Sequence, residues 1–295
     1  MKKLINALLA CLLLCPLPGT AQEATPQVSV SPLVGSLLLL QGRGGNVVAS
    51  VGTDGVLIVD DDYAEYAAAY QKALDGLAGG KTAPTFVINT HWHFDHVGGN
   101  EYWGERNAII VAHTTVRERM STRQDMKAFN RVVEPSPAAA LPVVTFDDSL
   151  ALHFNGEAVE VRHYPRGHTD GDSMVFFTGQ NLLHMGDHFF KDRFPFVDIG
   201  SGGNVFGFSE NIAAALAVVD DNTVIVPGLG SVADRADLQR YQEMLQTTTE
   251  LVKQQLAQGV SVDAVIEQGL GEKWASWGEG FIKEDAWIRF IAGSL

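Results

Sequence analysis

The residues best suited to chemistry run from position 90 to 100, Thr-His-Trp-His-Phe-Asp-His-Val-Gly-Gly-Asn. Four side chains able to bind a metal, His91, His93, Asp95 and His96, fall within six positions. In an extended loop, side chains two apart point the same way. His91 and His93 can therefore grip one ion, while Asp95 and His96, as the chain turns, face another. Imidazole and carboxylate suit zinc and related divalent metals. Gly98 and Gly99 lack Cβ atoms and let the backbone bend close to such a site. One histidine on a loop would say little; four such groups directly after a β-branched run form a specific signal.

Two further candidates come later in the chain. Pro165-Arg-Gly-His168-Thr-Asp-Gly-Asp172 is a Gly-rich turn that presents His168, and Leu182-Leu-His-Met-Gly-Asp187-His188 is an apolar strand ending in a carboxylate. A chain-distant His as third ligand, with an Asp bridging two ions, is usual in binuclear hydrolytic sites. Taken singly, each segment reads equally well as an ordinary turn. Asp60, the first of three consecutive aspartates, either supports the metal loop from behind or serves as a helix cap or solvated charge. The residues leave that choice open.

The elements that must position these groups are legible from periodicity. Val28–Val34, Leu37–Leu40, Val47–Val51 and Val56–Val59 are apolar stretches separated by Gly-rich turns, as in an antiparallel meander. Tyr63–Leu77 has helical periodicity and stops at Gly79-Gly80. Pro84–Asn89 reads as a buried strand leading into the histidine cluster. Ala108–Ala112 is a strand and Thr114–Arg123 a helix, with residues 125–142 an irregular loop. Val143–Phe146, Leu150–Phe154 and Ala158–Tyr164 are strands, and Asn155-Gly156 is a tight hairpin turn. His113, His153 and His163 are assigned to packing or surface. Phe189–Phe208 is a long Phe- and Gly-rich loop, placed to wall the substrate site. Asn211–Val219 and Ala233–Ala257 are helical. Trp274, Trp277, Phe281, Ile288 and Ile291 recur at three- and four-residue steps, a stripe expected to face the core.

The combination His91-Trp-His93-Phe-Asp95-His96, then Gly167-His168-Thr169, then Gly186-Asp187, resembles the metallo-β-lactamase superfamily of metallo-hydrolases, from about residue 28 to about residue 245. The resemblance implies an α/β fold, the αββα sandwich: two mixed sheets flanked by helices, with the metal site at one edge. It implies that His91, His93 and His168 hold a first zinc, that Asp95 and His96 hold a second, and that Asp187 bridges them. Asp187, where several true β-lactamases carry Cys or Ser, is more like the thioesterase and lactonase branches. One departure stands out: where family members usually carry a His in a Pro-Gly-His-Gly turn, this chain has Pro227-Gly228-Leu229-Gly230. One firmly held zinc and a second that is weak or absent follow from that change. His188 is a possible substitute ligand, and Asp95, if freed, becomes a candidate to orient water or act as general base.

The function expected is an exported zinc-dependent hydrolase of an ester, lactone, thioester or amide, β-lactams included, acting on a small molecule. Two alternatives are weighed. His91, His168 and Asp187 resemble the two-His, one-carboxylate iron set of persulfide dioxygenases. A non-catalytic periplasmic metal- or ligand-binding protein with a degenerate second site is the other, and the complete His91–His96 and His168 set argues against it.

Composition bounds the rest. The chain has 295 residues, 46% of them hydrophobic, and a net charge of −14. The charge argues against nucleic-acid partners and against attraction to anionic membranes. Lys2, Lys3, the apolar run Leu4–Leu14 and the small residues Gly19-Thr20-Ala21 form a secretory signal over 1–21, too short for a stable span, leaving 22–295 as a single domain in the periplasm or secreted. Lipidation at Cys11 is a weaker reading. The only two cysteines, Cys11 and Cys15, lie in this leader, so no thiolate is expected at the metal site.

Overall fold

The computed structural model of the protein describes residues 26–80 and 83–295. The expected leader, with Cys11 and Cys15, lies outside the described residues. The N-terminal meander forms as β1 (Ser29–Pro32), β2 (Leu37–Gln41), β3 (Val47–Gly52) and β4 (Gly55–Val59), each antiparallel to the next. After helix α1 (Ala67–Ala78) the pairing changes to parallel: β5 (Phe86–Ile88) lies beside β4, and β6 (Ile109–His113) beside β5. Short helices α2 (Phe94–Val97) and α3 (Asn100–Gly104) and then α4 (Thr114–Met120) follow the strands. Residues 125–142 are less irregular than expected, because β7 (Gln124–Met126) and β8 (Arg131–Val133) form a small separate hairpin. β9 (Val144–Phe146) then closes a seven-stranded sheet in the order β1-β2-β3-β4-β5-β6-β9.

The second sheet has the order β10-β11-β12-β13-β14, from β10 (Ser149–Phe154), β11 (Glu157–His163), β12 (Ser173–Phe177), β13 (Leu182–His184) and β14 (Val224–Val226). Its first four strands are antiparallel and β14 joins parallel to β13. Asn155 and Gly156 both have positive φ, 52° and 84°, as the tight β10–β11 turn requires. Helices α5 (Val205–Val218), α6 (Arg235–Ala257), α7 (Val262–Gln268) and α8 (Glu284–Ser294) complete the chain.

Strand alternation explains why two sheets and two helical layers result. Val48, Leu57 and Val59 pack against Val159, Val161, Val175 and Phe177 between the sheets. Their chain neighbours Val47, Ala49, Val56 and Ile58 face the other way, against Tyr70 and Leu74 of α1. On the second sheet, Met174, Leu183 and Ile225 face outward onto Ile212, Leu238, Tyr241 and Trp287. Strands buried on both faces need helices outside both. The architecture is the αββα sandwich of two mixed sheets.

Two expectations are corrected. Phe281 is not part of the tail's buried stripe: Trp274, Trp277, Ile288 and Ile291 are buried, but Phe281 is 72% exposed. A 3₁₀ turn over Glu272–Glu279 and a non-helical break before Glu284 shift the helical phase. Helix α5 also begins at Val205, six residues before the expected start at Asn211. Asn204 caps it, its side chain accepting from the Phe206 and Gly207 amides, so only residues 189–204 form the connecting segment. Among the described residues no helix is long and apolar enough to cross a membrane.

Candidate metal centre

The candidate ligands follow strand ends, with Asp95 and His96 carried on the short helix α2. β5 delivers residues 90–93, the turn between β11 and β12 delivers His168, and β13 runs into Asp187. The outward-facing nitrogens of the four histidines are all held. His91 Nδ1 lies 3.1 Å from Thr90 Oγ1, and His93 Nε2 lies 3.0 Å from Asp198 Oδ2. His96 Nδ1 lies 2.8 Å from Asp60 Oδ2, and His168 Nδ1 lies 2.8 Å from the Phe196 carbonyl oxygen. Nitrogens that donate outward present lone pairs inward.

Those inward atoms converge. His91, His93 and His168 form one group with ligand atoms within 4.8 Å of one another; His91, His96 and Asp187 form a second. His168 Nε2 and His93 Nδ1 approach to 2.8 Å. Asp187 spans the two groups: Oδ2 lies 3.5 Å from His168 Nε2 and 4.0 Å from His91 Nε2, while Oδ1 lies 3.1 Å from His96 Nε2. His91 Nε2, His96 Nε2 and Asp187 Oδ1 are buried without a protein hydrogen-bond partner. Buried lone pairs pointing at one another are costly unless a proton or a metal cation lies between them. The donor set therefore fits a metal ion.

Asp95 is in neither group. Its Oδ2 stays 3.8 Å from His96 Nε2, and the residue lines the adjoining cleft. His188 is placed away from both groups: its Nε2 accepts from Asn211 Nδ2 at 3.0 Å and lies 3.6 Å from Asp172 Oδ2. The turn after Asp187 rotates it into the second helical layer, against Phe208. Leu229 lines the same cleft as Asp95 and Asp187. Its turn is tied down by Asn46, whose Nδ2 donates to the Pro227 and Gly230 carbonyls at 2.8 and 2.9 Å. Gly228 passes so close to Asp187 Oδ1 that any Cβ would collide with it. His113 stacks on His163 with ring centroids 3.7 Å apart, and neither belongs to the two groups.

The three aspartates resolve into separate tasks. Asp60 accepts from the Thr90 amide at 2.7 Å and from the Thr90 hydroxyl at 2.8 Å besides orienting His96. Asp61 accepts from the Gly99 amide, and Asp62 accepts from the amides of Arg43, Gly44 and Tyr63. Asp198 does for His93 what Asp60 does for His96. It escaped the sequence reading because it sits in the segment after Asp187, where no pattern marks it.

Electrostatics separates the two groups. Burial, then the imidazoles of His96 and His168, holds His91 well below the ordinary histidine range, and burial lowers His168 to about 4. Burial also disfavours the charged form of His96, but the carboxylates of Asp187, Asp60 and Asp95 outweigh it and raise that pKa well above the ordinary value. In the metal-free chain a proton on His96 thus stands where a cation would. A metal entering the His91, His96, Asp187 group must displace that proton, so its affinity should fall as pH falls, by about tenfold per unit. In the other group burial keeps His91 and His168 free of a competing proton at neutral pH. Calorimetric titration in buffers of differing ionisation enthalpy should show proton release as the His96-containing group fills.

Residues 40–245 match the model of the metallo-beta-lactamase superfamily, more than half of the chain, and the chain belongs to that superfamily. Solved structures share its fold at low identity. The DIM-1 metallo-beta-lactamase is 17% identical with a TM-score of 0.60, over 75% of this chain and 98% of that one. The metallo-beta-lactamase from Pontibacter korlensis is 17% identical with a TM-score of 0.61, over 75% and 99%. TMB-1 is 15% identical with a TM-score of 0.59, over 75% and 98%.

Asp60→Asn and Asp198→Asn should each weaken metal binding about 10- to 100-fold, because the imidazole they orient loses its fixed tautomer. Competition against a chromophoric chelator measures both. Asp60→Asn should act on the His96-containing group and Asp198→Asn on the other.

Proposed function

We propose that the chain is an exported zinc-dependent hydrolase that cleaves an ester, lactone, thioester or amide, β-lactams included, in a small molecule. The observation that carries this reading is the convergence of inward histidine lone pairs and the Asp187 carboxylate at the wall of an open cleft. His91, His93 and His168 would hold the principal metal, and His96 with Asp187 a second, weaker one. When bound, zinc lowers the pKa of water to about 7 and polarises a carbonyl oxygen. Asp95, at the cleft wall beside these groups, orients the attacking water and takes its proton. In the balanced reaction the acyl carbon–heteroatom bond breaks, hydroxyl adds to the acyl carbon, and the proton goes to the departing oxygen, sulfur or nitrogen. Asp95 is placed to return that proton. Burial together with the neighbouring Asp187 raises the Asp95 pKa, which brings the carboxylate nearer to the range a proton-transfer group needs.

The mature chain would begin near Gln22 and work in the periplasm, which mass spectrometry of the exported protein tests; a diacylglyceryl group on Cys11 would overturn that part. The two-His, one-carboxylate set His91, His168 and Asp187 is also assembled, with Asp187 Oδ2 facing both rings, so metal content decides between hydrolysis and iron oxygenase chemistry. Protein purified without added metal should carry zinc. Chelation should remove turnover on a panel of lactams, lactones and thioesters, and zinc should restore it. Iron as the bound metal, with oxygen consumption on a persulfide, would sink the hydrolase reading.

A further inference from the structure

The cleft beside the metal centre holds about 280 Å³, room for roughly two benzene-sized groups. An unbroken aromatic path leads into it from solvent. Phe281, 72% exposed, stacks on Phe129 with centroids 5.9 Å apart and planes at 9°. Phe129 meets Phe196 at 5.0 Å, and Phe196 meets His168 at 5.6 Å and His93 at 6.0 Å. These rings come from three segments distant in sequence: the β7–β8 hairpin, the stretch after Asp187 and the tail. Water-exposed aromatic surface at the mouth of such a cleft marks a place where an apolar ligand group is bound.

The rim carries the opposite character. Arg193 lines the cleft and is exposed; its stem packs along Gly280, where a Cβ would crowd it. Arg43 lines the cleft as well, but it lies 4.4 Å over the Tyr63 ring and 3.4 Å from Glu65. In a chain with a net charge of −14, an arginine at the edge of an apolar cleft is suited to an anionic group on the ligand.

We infer that the substrate is an acyl compound whose acyl part is apolar, an aryl-alkyl or medium alkyl group lying on Phe129 and Phe281, and bears a carboxylate met by Arg193. This inference rests on the hydrolase reading for its reaction, while its recognition elements can be tested without turnover. The zinc-loaded full-length protein would be assayed on p-nitrophenyl acetate, butyrate, octanoate and 4-phenylbutyrate, and on the mono-ester of octanedioic acid. The value of kcat/KM should rise about three- to fourfold per methylene until the cleft is filled. Phe281→Ala, which removes a largely exposed ring, should cut the octanoate-to-acetate ratio of kcat/KM about tenfold. Arg193→Gln should lower kcat/KM for the carboxylate-bearing ester about tenfold relative to the octanoate ester.

Calorimetric binding of 4-phenylbutyrate against acetate, to wild type and Phe281→Ala, supplies an arm independent of catalysis. No turnover of any ester, with 4-phenylbutyrate still bound through Phe281, would overturn the hydrolase reading and support this inference. Turnover that is flat with chain length and indifferent to Phe281→Ala and Arg193→Gln would overturn this inference and leave the hydrolase reading standing.

Discussion

His168→Ala is expected to remove tightly bound metal and activity together while leaving the metal-free fold close to native. His168 is fully buried, its Nδ1 fixed by the Phe196 carbonyl and its Nε2 2.8 Å from His93 Nδ1. Without a cation, the two nitrogens lie at hydrogen-bond distance, so deleting one ring gives up that single contact and opens a small cavity. With a cation, the ring is one of three histidine donors, and zinc favours four ligands in all. Losing a group that only orients a ligand costs about 10- to 100-fold in affinity, and losing the ligand itself costs at least that. Wild-type protein at a thousandfold excess of metal over Kd gains about 4 kcal/mol of stability from binding. A hundredfold loss of affinity would leave about 1.4 kcal/mol of that gain, so the rise in melting temperature on adding zinc should fall to about a third or less. A variant that keeps its full metal content and its full thermal shift would remove His168 from the site.

What was readable in the sequence was what periodicity and spacing encode. The alternation in Val47–Val51 and Val56–Val59 placed one set of side chains between the sheets and the other under α1. The cluster from His91 to His96 is local, so its convergence needed no long-range knowledge beyond a strand to hold it. Long-range pairing was not readable. Asp198 reaches His93 across 105 positions, and Asn46 fastens the Leu229 turn across more than 180, and neither distance leaves a mark in local pattern. Phe281 fell on a helical period that the backbone does not follow through residues 280–283. His188 adjoins Asp187 in sequence, yet successive side chains of a 3₁₀ turn diverge, and its ring is held by Asn211 instead.

These placements explain how the centre can be both preorganised and unequal. The four rings are held from outside by three elements: Thr90 on the metal loop, Asp60 at the end of β4, and Asp198 and Phe196 in the stretch after Asp187. Fixing the outward nitrogens fixes the inward lone pairs, so little ordering remains for an incoming ion to impose. The two groups then differ in what competes for them. His91 and His168 are neutral by burial and have nothing to displace, whereas His96, among three carboxylates, holds a proton that an ion must expel.

Leu229→His should change the weaker half of the centre. Leu229 stands in the cleft wall with Asp95 and Asp187, on a turn that Asn46 holds in place and that Gly228 lets pass close to Asp187. The second group offers His91, His96 and Asp187, and His91 is shared with the first. A second ion would therefore have His96, one oxygen of Asp187 and, with a small movement, Asp95. An apolar neighbour supplies no ligand and disfavours an ordered water in the remaining position. An imidazole there would supply a neutral donor without adding charge repulsion. Second-metal affinity should rise at least 10- to 100-fold, read as a stoichiometry approaching two by elemental analysis after dialysis against submicromolar zinc. The added ion would also outcompete the His96 proton at lower pH, so the proton release of the second step should shift toward acid. Turnover should change with it, because Asp95 would be drawn toward the second ion and away from the water it orients. Wild-type protein that already retains two ions equally tightly, with Leu229→His altering neither stoichiometry nor rate, would mean that Asp95 and solvent complete the second site unaided.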